Sequence, residues 1–446
     1  MAKINPVSGF PEWLPEEKLI EQFFLDTVRK KFELYGFTPI EPRSIEPLEV
    51  LLSKGDDKEI YTLRRLHEED PSAPAEFGLH FDMTVPFARY VQQFRGHLNF
   101  PFKRYQIQKA WRGERPQEGR YREFYQADID VINEGDLPIS FDAEFPLLIH
   151  DIISSLPTPP VRIRVNNRKI LTGFYYALGI DDAAGVLRIV DKLDKIGASA
   201  VVTSLKDELG LSQEQAELCL NLGQIKSSNG SFVKEVEALG YRHPTLQEGL
   251  DELAFVVEAS QSLPEGTLLA DLSLARGLDY YTGTVYECNF VGHESLGSIC
   301  GGGRYDNLAS DEKVKLPGIG ISFGITRMLG YLFGRKLLSA NRSSPVTVLV
   351  ALPTEEARLE AISIANKLRA RGISSDVSHA SQKFGKQIRN AERRGIPYVW
   401  FFNPGDASSY ELKDIRSGEQ TKVDLNSWEP KPEDTELQVE LKLEVE

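Results

Sequence analysis

Residues 104–132 read RYQIQKAWRGERPQEGRYREFYQADIDVI. Tyr105, Ile107, Lys109 and Trp111 fill one extended run and Glu123 to Ile132 fill another. The polar loop between them, Gly113 to Tyr121, holds Pro116 and Gly119 as turn residues. The pattern predicts a long antiparallel hairpin with a charged tip. On a strand that faces a cleft, Arg112 can hold a carboxylate and a phosphate together through its planar fork. Glu114, two positions on, points to the same face and can accept a hydrogen bond from an amino group such as that of adenine. Arg120, across the loop, can reach outer phosphates. Taken alone, Arg-x-Glu reads equally as an exposed, ion-paired hairpin.

Working outward, Gly318-Ile319-Gly320-Ile321-Ser322-Phe323-Gly324-Ile325-Thr326-Arg327 has glycines at alternate positions, which allow close backbone approach in a strand. Gly324 can open a helix and put Arg327 in its first turn, facing a nucleotide. The segment lacks the Lys-Ser/Thr ending of a P-loop and the spacing of a dinucleotide fingerprint. Upstream, Leu19, Phe23, Val28, Phe32 and Leu34 predict a helix from about Pro15 to Tyr35, stopped by Gly36 and followed by a strand carrying Pro39. Residues 182–262 are helix-rich, with Ser212 and Gln215 spaced as a capping box, and carry no chemical motif. Beyond Pro345, strands at 346–352, 373–378 and 398–402 alternate with helices at 355–371 and 383–394. That alternation predicts a small α/β domain with a mainly parallel sheet. From Glu429 onward acids dominate, and a mobile or weakly docked tail is expected.

A chain of 446 residues, with 41% hydrophobic and 26% charged residues, predicts two or three domains of an ordinary soluble protein. No run is long and apolar enough for a membrane helix, and Met1 to Pro15 has no apolar signal core, so a cytoplasmic protein is expected. Three cysteines, Cys219, Cys288 and Cys300, without a CxxC pair point to a reducing compartment, and the scattered histidines predict no structural zinc. A net charge of −14 argues against a uniform coat of nucleic acid, but local basic patches set phosphate contacts. Two exist. One contains Lys103, Arg104, Lys109, Arg112, Arg115, Arg120 and Arg122; the other runs from Lys367 to Arg394. Either could also be a solvated face.

The hairpin with Arg112 and Glu114 and the glycine strand ending at Arg327 resemble motifs 2 and 3 of the class II aminoacyl-tRNA synthetases. The opening helix and Pro39 strand are similar to motif 1, the dimer interface of that class. Ala275 to Glu287 and Ser298 to Asp306 resemble the two signatures of the histidyl-tRNA synthetases, and Phe81 to Pro86 and Phe124 to Asp130 match further pieces. The resemblance implies an α+β fold, with an antiparallel sheet flanked by helices, a helical insertion and a C-terminal α/β anticodon-binding domain. The expected boundaries are 1–181 with 263–342 for the catalytic domain, 182–262 for the insertion, 345–428 for the anticodon-binding domain and 429–446 for the tail.

The resemblance also implies an activity. Such an enzyme activates L-histidine with ATP to histidyl-adenylate and pyrophosphate, then transfers histidine to the 3′ end of tRNA(His), as a cytoplasmic homodimer away from membranes. Asp82, Thr84 and Gln126 would hold the ammonium, with Met83 beside them in the histidine site. Asp130 would accept from one ring nitrogen, and Tyr280 or Tyr281 would satisfy the other or pack on the ring. Arg112 and Arg276 would bracket the α-phosphate and the carboxylate, and Arg112, Glu114, Arg120 and Arg327 would bind ATP, with Mg²⁺ on the outer phosphates. A pocket bonded to both ends of the imidazole would reject amino acids without that pattern. Two rivals are a silent relative, the regulatory subunit of ATP phosphoribosyltransferase, expected to lack the arginine-bearing signature and the C-terminal domain, and a tRNA or ATP sensor that does not adenylate.

Overall fold

The computed structural model describes residues 5–54, 58–67, 73–275 and 281–442. The chain divides into two compact units, Met1–Pro11 with Leu25–Tyr331, and Glu12–Phe24 with Leu332–Glu446.

In the larger unit the hairpin forms as its alternation predicts. Strands Phe102–Trp111 and Glu123–Ile132 pair antiparallel along their whole length, Phe102 opposite Ile132 and Trp111 opposite Glu123. Among the described residues they belong to a nine-stranded sheet. Beyond Glu123–Ile132 come Gly318–Gly324, Cys300–Tyr305, Thr284–Phe290 and Val161–Asn167, each antiparallel to the one before. Short parallel strands lie outside this block: Thr38–Pro39 beside the hairpin and Leu268–Asp271 beside Val161–Asn167.

The two-residue period of a strand then assigns the faces. Ala127, Ile129, Val131, Ile319, Ile321 and Phe323 are all buried. On this side Phe32 brings its ring to 5.6 Å from Tyr105 and 5.8 Å from Phe323. The alternate set, Gln126, Asp128 and Asp130 with Gly320, Ser322 and Gly324, is left for the opposite face.

Residues 168–259 supply helices Arg168–Ala177, Ala183–Val190, Ala198–Leu209, Gln213–Gln224, Ser231–Glu237 and Pro244–Ala259. The capping box is present: Gln215 N–H donates to Ser212 Oγ, and Ser212 N–H to Gln215 Oε1.

The smaller unit holds a five-stranded sheet in the order Ser375–Val377, Val348–Val350, Tyr398–Asn403, Asp406–Asp414, Gln420–Lys422. Its first three strands are parallel and the rest antiparallel. Helix Arg358–Ala370 supplies Ala361, Ile364 and Leu368 to a core with Val348, Val350 and Trp400. Helix Phe384–Arg393 supplies Ala391 to the other face, beside Leu349 and Val399.

The acidic tail departs from its expectation. Val439–Leu441 pairs antiparallel with Leu338–Ala340, and Asp434 is 2% exposed. Tyr398 Oη donates to Asp434 Oδ2 at 2.5 Å, and Arg416 Nη2 donates to the same oxygen at 2.8 Å. An acid with partners of this kind docks a segment, whatever the charge of its neighbours.

Candidate functional site

A cavity of about 540 Å³ opens on the polar face of the large sheet. Of the expected site residues, Asp82, Thr84, Arg112, Glu114, Arg120, Gln126, Asp130, Tyr281 and Arg327 all line it. Arg276 and Tyr280 lie outside the described residues. Met83 is a correction: its side chain is fully buried, and it does not contribute to the lining. It precedes helix Thr84–Phe94 as the capping residue and packs inward.

Each group is set by its element. Asp82 precedes that helix and accepts from the Val85 N–H at 3.0 Å, so one carboxylate oxygen ties down the first turn. Arg112 leaves the first hairpin strand. Its Nε donates to Phe81 O at 3.0 Å, and its guanidinium lies 5.1 Å from the centroid of the Phe124 ring. A backbone carbonyl and an aromatic face thus orient the fork without using a counter-charge. Glu114 and Arg120 face each other across the loop, ion-paired at 3.2 Å. Arg120 is exposed there, so the pair is weak and exchangeable. Arg327 stands in the first turn of helix Ile325–Gly334, as expected, and donates to Leu296 O.

Farther along the second strand the cavity becomes acidic. Asp130 is ion-paired with Arg104, and Tyr305 Oη donates to it at 2.7 Å. Opposite it, Gly320 is required by space, because a Cβ there would meet Asp130 Oδ1 at 2.1 Å. Arg104 is a second correction. It is fully buried, pairs with Asp130 and lies 4.1 Å from the Phe87 ring, so it is no part of a phosphate-facing surface patch.

Asp128, between Gln126 and Asp130 on the same face, was missed by the reading of the sequence. It lines the cavity, is 4% exposed, and has no hydrogen-bond donor on Oδ1. Burial pushes its carboxyl up to about 7, helped by the charges of Asp130 and Asp82 and opposed by Arg104 and a hydrogen bond from Ser322. The alternation Gln126, Asp128, Asp130 was the signal that could have found it. Tyr305, inside the Ser298 to Asp306 stretch, is a second residue that the sequence reading leaves without a role, and its signal is that motif.

The cavity is therefore polarised. Asp82, Asp128 and Asp130 gather around one part, while Arg112, Arg120 and Arg327 come from the hairpin tip and the neighbouring helix start. Such a site can take a molecule with a cationic head and, beyond it, an anionic chain.

In the smaller unit, Lys383, Lys386, Arg389 and Arg393 of the second basic run are exposed on or beside helix Phe384–Arg393. Arg369, Arg371 and Arg394 of that run are engaged with Ser375 O, Leu425 O and Asp376.

Comparison with known proteins matches these two parts separately. Residues 346–431 match the family model of an anticodon binding domain, and residues 9–328 match that of histidyl-tRNA synthetase. The histidine–tRNA ligase of Micrococcus luteus is 51% identical, over 98% of this chain and 99% of its own length. That of Thermobifida fusca is 51% identical over 95% of this chain and 98% of its own. The crystal structure of histidyl-tRNA synthetase from a Nostoc species superposes with a TM-score of 0.86 at 36% identity, covering 95% of this chain and 97% of that one. On the polarised cavity, the antiparallel sheet and these matches, the chain belongs to the histidyl-tRNA synthetase family.

Proposed function

We propose that this chain is a histidine–tRNA ligase whose polarised cavity carries out adenylation. Histidine reacts with ATP to give histidyl-adenylate and pyrophosphate, and a terminal ribose hydroxyl of tRNA(His) then takes the histidyl group. The observation that carries the reading is the division of one cavity between acids and arginines. Both reactants of the first step are anions where they meet, so positioned cations dominate its catalysis.

In this reading Asp82, Thr84 and Gln126 bind the ammonium of histidine. Asp130, held by Arg104 and Tyr305, accepts from a ring nitrogen, and Tyr281 packs on or bonds to the ring. Arg112 bridges the carboxylate and the α-phosphate, joined by Arg276. Glu114 meets the adenine amino group, and Arg120 and Arg327 take the outer phosphates. ATP enters as its magnesium complex. Among the described residues no three His, Cys, Asp or Glu gather as a metal cage. A magnesium ion held mainly by phosphates needs only one or two carboxylates, and Glu59 lines the cavity.

The exposed helix Phe384–Arg393 is read as part of the tRNA surface, and the opening helix with strand Thr38–Pro39 as the contact of a homodimer. The domain boundaries stay at 1–181 with 263–342, 182–262, 345–428 and 429–446. A cytoplasmic location fits three buried, unbridged cysteines and the lack, among the described residues, of any helix able to cross a membrane.

The test is exchange of labelled pyrophosphate into ATP, with each amino acid in turn and with or without tRNA. Exchange should require histidine and proceed without tRNA. No exchange, or equal exchange with other amino acids, rejects adenylation and leaves the silent relative or the sensor.

A further inference from the structure

Arg104, Gln106 and Gln108 stand directly across from Asp130, Asp128 and Gln126, so these side chains share one face of the hairpin. Among the described residues Arg104 Nε has no hydrogen-bond partner and Arg104 Nη2 is ion-paired with Asp130; the other donors described for the first three are engaged by neighbours. Arg104 Nη1 donates to Gln106 Oε1 at 3.4 Å, Gln106 Nε2 to Gln108 Oε1 at 2.7 Å, and Gln108 Nε2 to Ser44 Oγ at 2.8 Å. On the other flank Ser322 accepts from Gln126 Nε2 at 2.7 Å, and Gly320 and Gly324 bring no side chain. Two buried acceptors are left without a donor, Asp128 Oδ1 and Gln126 Oε1, two residues apart on the wall of the cavity.

A buried acceptor without a donor costs free energy and calls for a partner from outside the chain. An ammonium, with three donors and no acceptor, is the complement of such a pair; a neutral imidazole, with one of each, is not. We propose that Asp128 is a further substrate-binding residue, its Oδ1 accepting an N–H of histidine's α-ammonium while Gln126 Oε1 accepts another. The proposal rests on the reading of this cavity as the adenylation site.

The charged groups facing Asp128 come from several elements: Arg104 on the adjacent strand, Asp130 on its own, and Asp82 before helix Thr84–Phe94. Tyr305, from strand Cys300–Tyr305, is bonded to Asp130. Burial, with two acids facing it and Arg104 paired to Asp130, raises the carboxyl of Asp128 to about 7, so a large share of it keeps its proton near neutral pH. An arriving ammonium replaces that proton as the compensating charge, and the proton leaves to solvent. Histidine binding is thereby coupled to proton release.

Calorimetric titration with three ligands tests this. Histidine and histidinol both carry the ammonium and the ring, and imidazole-propionate keeps the ring but lacks the ammonium. In Asp128→Asn the first two should bind about 10- to 100-fold more weakly, and imidazole-propionate should stay within about twofold of wild type. Titration of histidine in buffers of different ionisation enthalpy near pH 7 should show more proton release from the wild type than from Asp128→Asn, the ring's own titration being common to both. Equal weakening of all three ligands would make Asp128 merely structural, and unchanged histidine binding or equal proton release would overturn the proposal. Set against imidazole-propionate in the same buffers, which carries the ring's share alone, the wild-type proton count stands even if the variant folds poorly. Wild-type exchange that fails while these binding results hold would reject adenylation alone.

Discussion

Arg112 and Asp128 show how much of the cavity's chemistry is set by the groups packed around each side chain. The Arg112 guanidinium is aimed by Phe81 O and by the Phe124 ring, which leaves its charge uncompensated and its plane fixed. Lysine keeps the charge and loses the plane. Arg112→Lys should therefore lower the rate of histidine-dependent pyrophosphate exchange by about 10²-fold or more, with a much smaller change in the KM for histidine; near wild-type exchange would show that the fork is dispensable. Asp128 predicts a pH effect on stability. Its carboxyl sits at about 7 in the fold against an ordinary 3.8, so between those values the folded chain holds a proton that the unfolded chain has lost. Stability from this group is complete below about pH 4, falls as pH rises, and reaches its floor above about pH 7. Melting of ligand-free Asp128→Asn, set against wild type from pH 4 to 8, should show the variant gaining relative stability as pH rises. A constant difference would mean that Asp128 is ionised throughout.

The strand Gly318–Gly324 makes a comparable argument at the level of an element. Its odd-numbered residues, Ile319, Ile321 and Phe323, fill the core, and its even-numbered ones must leave room for acids on the next strand. A Cβ at 320 would meet Asp130 Oδ1 at 2.1 Å, whereas one at 324 would come only to 3.3 Å from Arg327 Cβ. Gly320→Ala should accordingly cost on the order of 1–3 kcal/mol and weaken histidine binding, while Gly324→Ala should be milder on both counts. Thermal melts and histidine KM values check this, and the reverse order would refute the steric account. Much of this was legible in the sequence, since hairpin alternation, glycine spacing and the Ser212–Gln215 cap are local patterns whose physics acts within a few residues. The strand order was not, because Gly318–Gly324 slots between Glu123–Ile132 and Cys300–Tyr305 through pairings that no local period records. Arg104 was misread for a related reason. A basic residue within a basic run looks solvated until Asp130, 26 positions away, is brought opposite it.

At the scale of the whole molecule, the two compact units make separable demands on the chain. The cavity proposed for adenylation draws its lining from Glu59 to Arg327, all within the larger unit, so that activity should depend on the unit's integrity. The smaller unit relies on Asp434 and its neighbours near the end of the described residues. Asp434 accepts from Tyr398 and Arg416, and its backbone oxygen accepts from Arg342 Nη2 at 3.0 Å, beside Glu436 O at 2.9 Å. Arg416 is half-exposed, and water would compensate much of its loss. Tyr398 is buried, and its hydroxyl would be left without this acceptor. Asp434→Ala should therefore destabilise the smaller unit by about 1–3 kcal/mol and lower one calorimetric transition. On heating, tRNA charging should fail at that lowered transition while histidine-dependent exchange continues until the larger unit melts. Loss of both activities at one temperature would mean that the units unfold together.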